Sequence, residues 1–172
     1  RVGGSKVFRF DGGWGPTVSF TAIEQHAYAQ GARISSNSWG SGVPTGYNAT
    51  AREYDGLVRD SSPSAGNQEN IIVFSAGNFG PGGNTLSSPG SGKNVLTLGA
   101  AENWWPDYTA CGWPPAMQNT PGDDIVYYSS RGPTNDGRRK PDVAAIANGW
   151  NSLRGQYAGE GCGPPYDTAS SS

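Results

Sequence analysis

Two short stretches carry the residue types on which chemistry could rest, and each follows an apolar run. After Ile71-Ile72-Val73-Phe74 comes Ser75-Ala76-Gly77-Asn78-Phe79-Gly80-Pro81-Gly82-Gly83-Asn84, and after Arg33-Ile34-Ser35-Ser36 comes Asn37-Ser38-Trp39-Gly40-Ser41-Gly42. In an open parallel sheet, ligands gather beyond the carboxyl ends of the strands, which is where both stretches would lie. Asn78 offers a side-chain amide donor between Gly77 and Gly80, residues that let other backbone approach closely. Such a donor can hold a developing oxyanion, a contribution of about 3–4 kcal/mol in acyl-transfer sites. An asparagine here could also simply fill a left-handed turn position. Phosphate binding, the other habit of glycine-rich loops, fails on spacing. Gly77 to Gly82 lacks the dinucleotide fingerprint, and around Gly90-Ser91-Gly92-Lys93-Asn94 the P-loop's first Gly is Ser87 and no Ser or Thr follows Lys93.

The elements that must position these loops are legible as alternating runs. Val7 to Phe10, Arg33 to Ser36, Ile71 to Phe74 and Asn94 to Leu98 read as strands, the third continuously apolar as in a strand buried on both faces. Thr17 to Gln30 reads as a helix with Phe20, Ile23 and Ala27 on one face, Thr17 or Ser19 as its cap and Gly31 as its stop. Thr50-Ala51-Arg52-Glu53 is a capping-box pattern ahead of Tyr54, Leu57 and Val58. Ile125 to Tyr128 and Asp142 to Ile146 read as two further strands, whereas Ala101 to Gly122 is aperiodic and reads as an ordered surface excursion. Gly, Pro, Asn and Ser dominate from Asn148 onward. The expected class is α/β: three layers, with a mostly parallel sheet and helices on both faces.

Composition bounds what such a chain can be. Its 172 residues make one domain, and 12 Lys+Arg against 14 Asp+Glu give a net charge of -2; the one cation cluster, Arg138-Arg139-Lys140, is short for a nucleic-acid surface and reads as a solvated loop. Twenty-seven Gly and 13 Pro, with 15% charged residues, describe a turn-dense globule rather than a helical bundle. No apolar run approaches the ~20 residues that span a bilayer. Cys111 and Cys162 have neither zinc nor redox spacing; a disulfide and two unrelated thiols are both open.

Three motifs, Gly31 to Ser41 (GARISSNSWGS), Ser75 to Ala100 (SAGNFGPGGNTLSSPGSGKNVLTLGA) and Ser129 to Ala145 (SSRGPTNDGRRKPDVAA), resemble in order and spacing the middle of a subtilisin-like serine protease. The likeness covers nearly the whole chain and is nearest to the oxidation-resistant alkaline branch of bacterial subtilases. It implies that Asn78 is the oxyanion-hole asparagine. It also implies that Ser38, Trp39 and Gly40 pair with the substrate backbone and wall one side of the P1 pocket, opposite Ser75, Ala76 and Gly77. Asp11-Gly12-Gly13-Trp14-Gly15 resembles the other substrate-flanking edge, with Gly13 and Gly15 leaving room for an added peptide strand.

The departures from the family pattern set the remaining expectations. Residues 1–172 are expected to be a partial peptidase domain, lacking the preceding segments that carry the Asp and His and the following segment that carries the nucleophile. The sole histidine, His26, lies within the first helix pattern and reads as a surface or packing residue. Tyr166 to Ser172 (YDTASSS) resembles the run-up to the nucleophile, with Ser171 and Ser172 at the Gly and Thr positions in the better register and at the nucleophile in a shifted one. The resemblance implies an extracellular endopeptidase whose isolated 172-residue stretch is inactive; the rival reading is a non-catalytic relative that binds peptides or assembles. Expected partners are an extended peptide and either another chain or the missing segments, with no nucleic acid and no membrane. No cofactor is required. Structural calcium is allowed, with Asp123-Asp124 the best local candidate beside a plain surface loop, but no metal ligands are assigned.

Overall fold

The computed structural model describes residues 2–5, 7–8, 19–44, 46–102, 124–147, 150–152 and 167–169, the last two segments as backbone only. Four strands form a parallel sheet in the order β1 (Ile34–Asn37), β2 (Ile71–Ser75), β3 (Leu96–Ala101), β4 (Val143–Ile146). Helix α1 (Phe20–Ala29) precedes β1, and α2 (Ala49–Arg59) crosses from β1 to β2. This is the α/β class expected from the alternating runs. Trp150–Ser152 (β5) and Asp167–Ala169 (β6) pair antiparallel, in a region whose three-residue strands are too short to show a period in sequence.

Both helices start where a side chain can take up free N–H groups. Ser19 caps α1, its hydroxyl accepting from the Ala22 amide, and Gly31 ends the helix at a φ of +93°. For α2 the capping-box expectation is corrected by one element of detail. Asn48, not Thr50, is the cap, its Oδ1 accepting from Ala51 N at 3.0 Å. Glu53 is thereby released, and its Oε1 accepts from the backbone N–H and hydroxyl of Thr21, closing the first turn of α1 from a neighbouring helix.

The core lies between these helices and one face of the sheet. Tyr54 and Leu57 of α2 pack on Ile72, Phe74 and Val95, with Phe20, Trp39 and Val58 at the margin. Phe74 is fully buried, and its ring meets Tyr54 at 4.7 Å and Trp39 at 5.2 Å, both edge-on. The alternate residues Ile71 and Leu96 point away from the helices and are 54% and 38% exposed.

Strand β4 is locked to β3 by a buried charge. Lys140 Nζ donates to the Val95 carbonyl, Thr97 Oγ1 and Asp142 Oδ2, and that carboxylate oxygen also accepts from Thr97 N. The expected strand at Ile125 to Tyr128 is not formed: Ile125 makes a single bridge to Ala101, and the chain then turns, with Ser129 N donating to Val126 O. The turn delivers the Tyr128 carbonyl to Gly80 N at 2.8 Å, so the apolar run serves the loop after β2 instead of the sheet. Of the expected strand Val7 to Phe10, Phe8 makes an isolated bridge and residues 9–10 lie outside the described set, as does the Ala101 to Gly122 excursion from residue 103.

Candidate functional site

The loops leaving β1 and β2 converge on one cavity of about 350 Å³. Ser38, Trp39 and Gly40 line it from the β1 side, and Ser75, Ala76, Gly77 and Asn78 from the β2 side. Its floor is the carboxyl-end half of the face turned away from the helices, where Val73, Leu98 and Ala145 share a side of the sheet. The lining is therefore apolar at the base and polar at the rim, a pattern suited to one apolar side chain held by backbone contacts above.

The β2 wall owes its shape to glycine. Gly77 has a φ of +106°, and a Cβ there would lie 2.5 Å from Ser87 Oγ and 2.9 Å from Ser130 Oγ. At Gly80 a Cβ would fall 2.3 Å from the Ser129 carbonyl oxygen. These close approaches are used: Ser130 N donates to Gly77 O, and Phe79 N to Ser130 Oγ at 3.1 Å. Asn78 sits on the taut segment between them with its side chain exposed at the cavity, and no hydrogen bond engages that amide among the described residues.

The β1 wall is anchored by its tryptophan. The Trp39 ring turns back into the core, stacked on Phe20 at 4.9 Å, while the backbone of residues 38–40 stays at the rim. The two walls are tied together through residues 87 and 88: Ser41 N donates to Ser88 O, Ser88 N to Ser41 Oγ, and Ser87 N to Ala76 O. Ser87, Ser88 and Ser130 fall within the family-like motifs and Tyr128 within an expected strand, but the sequence reading gave none of them a part in joining the two walls. The density of serine next to glycine and proline in those motifs does not distinguish a strap from a surface turn.

His26 is exposed in the last turn of α1 and does not line the cavity. Gly13, Gly15, Cys111, Cys162, Asp123, Ser171 and Ser172 lie outside the described residues. Among the described residues no three His, Cys, Asp or Glu side chains gather as metal ligands, and Asp124 Oδ1 accepts from its neighbour Ile125 N. No described helix is long and apolar enough to cross a membrane.

Burial perturbs two groups beneath the rim. It raises the Glu24 carboxyl, 2% exposed, above the usual carboxylate range, with a hydrogen bond from Ser35 opposing the shift. It also pushes the Tyr54 phenol well above its ordinary value, helped by the negative charges of Glu24 and Glu53.

Comparison with known proteins bears on this geometry. The model of the Subtilase family, peptidase S8, matches residues 1–171. Serine protease AprX of Bacillus subtilis is 36% identical over 84 residues, which are 49% of this chain and 16% of that protein. Pyrolysin of Pyrococcus furiosus is 37% identical over 91 residues, 46% of this chain and 6% of that protein. The structure of Sphericase matches 87% of this chain and 42% of its own at 22% identity, with a TM-score of 0.49. The matched regions are thus a small part of the length of these curated relatives.

Proposed function

Because the chain belongs to the subtilase family of serine proteases, we propose that it is the substrate-cleft and oxyanion-hole portion of an extracellular endopeptidase. The observation that carries this reading is the convergence of two strand-end loops on one cavity, with the exposed Asn78 amide at its edge. An extended peptide would lie between the rims at residues 38–40 and 75–77, its side chain in the cavity and its backbone paired with theirs.

In the complete enzyme a serine hydroxyl supplied by a segment beyond this cleft attacks the peptide carbonyl carbon, passing its proton to a histidine that an aspartate orients. Asn78 Nδ2–H and a backbone N–H hold the oxygen as it becomes negative. The C–N bond then breaks, the histidine protonates the leaving amine, and water hydrolyses the acyl-enzyme by the reverse transfer. Replacing Asn78 by Ala in that enzyme is expected to lower kcat by about 10²–10³ with little change in KM. The 172-residue chain by itself is inactive on this reading, since its sole histidine stands on α1 away from the cavity. Incubation with a fluorophosphonate tests this: no labelling is expected, and stoichiometric labelling of a serine overturns it.

The same placement of His26 favours a second reading, a non-catalytic relative that binds extended peptides without cutting them. The coding sequence on either side separates the two. Flanking segments with a catalytic Asp, His and Ser support the peptidase, and their absence supports the binding module.

A further inference from the structure

A buried carboxyl ends a one-way chain of hydrogen bonds that starts at the cleft rim. Trp39 Nε1 donates to Asn37 Oδ1 at 3.1 Å, Asn37 Nδ2 donates to Ser35 Oγ at 3.0 Å, and Ser35 Oγ donates to Glu24 Oε1 at 2.8 Å. The direction of every link is forced. An indole N–H can only donate, so Asn37 must turn its carbonyl oxygen to Trp39 and its NH₂ to Ser35; the serine oxygen is then an acceptor and its proton must go onward. Only an acceptor can close such a chain, and Glu24 is that acceptor. Four residues on α1, β1 and the loop after β1 are thereby set in one orientation.

Glu24 is otherwise poorly provided for. It is 2% exposed, and its Oε2 has no hydrogen-bond partner among the described residues. A carboxyl buried with an orphan oxygen costs stability, so its presence calls for a return elsewhere. The link to Trp39 supplies one, because the indole is packed against Phe20, Tyr54 and Phe74 while its own backbone forms the rim. Rotation of this ring would move residues 38–40.

We infer that Glu24 is a positioning residue for the cleft: through Ser35 and Asn37 it fixes the Trp39 indole, and with it the rim against which a peptide strand lies. The inference rests on the peptide-cleft reading above. Burial raises the Glu24 carboxyl, and the charged form accepts the Ser35 hydroxyl more strongly than the neutral one, so the indole feels the charge state. Among the described residues, the ionisable groups facing Glu24 from α2 are Tyr54 and, around that same phenol, Glu53.

The test reads the indole N–H resonance of Trp39 in a ¹⁵N–¹H spectrum of the 172-residue chain, identified by its loss in Trp39→Phe, alongside binding of acetyl-Ala-Ala-Leu-amide. In the unsubstituted chain the resonance is expected to titrate with a midpoint above the ordinary glutamate range. Glu24→Gln, which keeps an acceptor oxygen, is expected to hold a single pH-independent position and to bind the peptide within about twofold. Glu24→Met and Ser35→Ala remove the acceptor or the bridge; both are expected to displace the resonance and weaken the peptide about five- to tenfold, the scale of one hydrogen bond. A titration that survives in Glu24→Gln, or a resonance and affinity unmoved in Glu24→Met, overturns the inference. If the indole behaves as expected but the unsubstituted chain binds no peptide, the relay stands and the cleft reading falls.

Discussion

The two faces of the parallel sheet are built from alternate residues of the same strands and are put to different uses. On the helix side, Ile72 and Phe74 are 1% and 0% exposed and join Tyr54, Leu57 and Val95 in an aromatic and aliphatic core. One residue along, Ile71, Val73 and Ser75 face the other way; Ile71 is half exposed, while Val73 and Ser75 line the cavity. Among the described residues the buried core is concentrated on one face, and the opposite face carries the cavity at its carboxyl end. Because the strand period is two, no position can serve both, and a cleft floor can be altered without entering the core.

The largest test of this division is Phe74→Ala. It removes a fully buried ring with two edge-on aromatic neighbours and is expected to cost about 3–5 kcal/mol in urea unfolding. A loss below about 1 kcal/mol would mean that the helices are not held by this core. Next in size is Asp55→Ala on α2. Asp55 Oδ1 accepts from Asn94 N at 2.7 Å, and Oδ2 from Lys93 N and the Tyr47 hydroxyl, fastening the helix to the turn before β3. Truncation strands two backbone N–H groups and is expected to cost about 2–4 kcal/mol by the same measurement.

The helix side also carries a pH signature. Burial places the folded-state pKa of Glu24 above its unfolded value. Its contribution is therefore fully present below the ordinary glutamate pKa and is lost as pH rises through the raised folded one. Glu24→Gln removes that loss. The stability of Glu24→Gln relative to the unsubstituted chain should climb across this window and level off above it; a difference that stays flat with pH would place Glu24 in solvent.

Much of the covered face could be read from sequence, because burial on a regular element leaves a period. The runs at Ile34, Ile71, Leu96 and Val143 became strands within three residues of their expected bounds, and Phe20, Tyr54 and Leu57 fell on the expected helix faces. The loops at residues 38–40 and 75–78 could be placed at strand ends from the apolar runs before them, and both line the cavity, whereas a substrate role for them came only from the family resemblance. What holds those walls was not legible. The run Ile125 to Tyr128 has the composition of a strand, yet its last carbonyl, that of Tyr128, is claimed by Gly80 N across 48 residues of chain, a contact that no local pattern records. Glu53 obeyed its capping-box spacing and then served α1, because Asn48 had already capped α2. The path from Glu24 to Trp39 was hidden likewise, since it needs α1 laid against β1 before Ser35 can reach the carboxyl.

The smallest expected effect is the most discriminating. Ile71 and Ile72 are adjacent isoleucines in β2, 54% and 1% exposed, so changing each to Ala removes the same atoms from opposite faces. Ile72→Ala is expected to cost about 2–4 kcal/mol and Ile71→Ala about 0.5 kcal/mol, mostly through lost strand preference. Equal costs would break the comparison, because an exposed methylene group has no cavity to leave behind. They would mean that the open face is covered in solution. Repeating the unfolding at tenfold lower protein concentration would then decide by what: a cost that shrinks on dilution belongs to a second chain, and a cost that does not belongs to residues of this one.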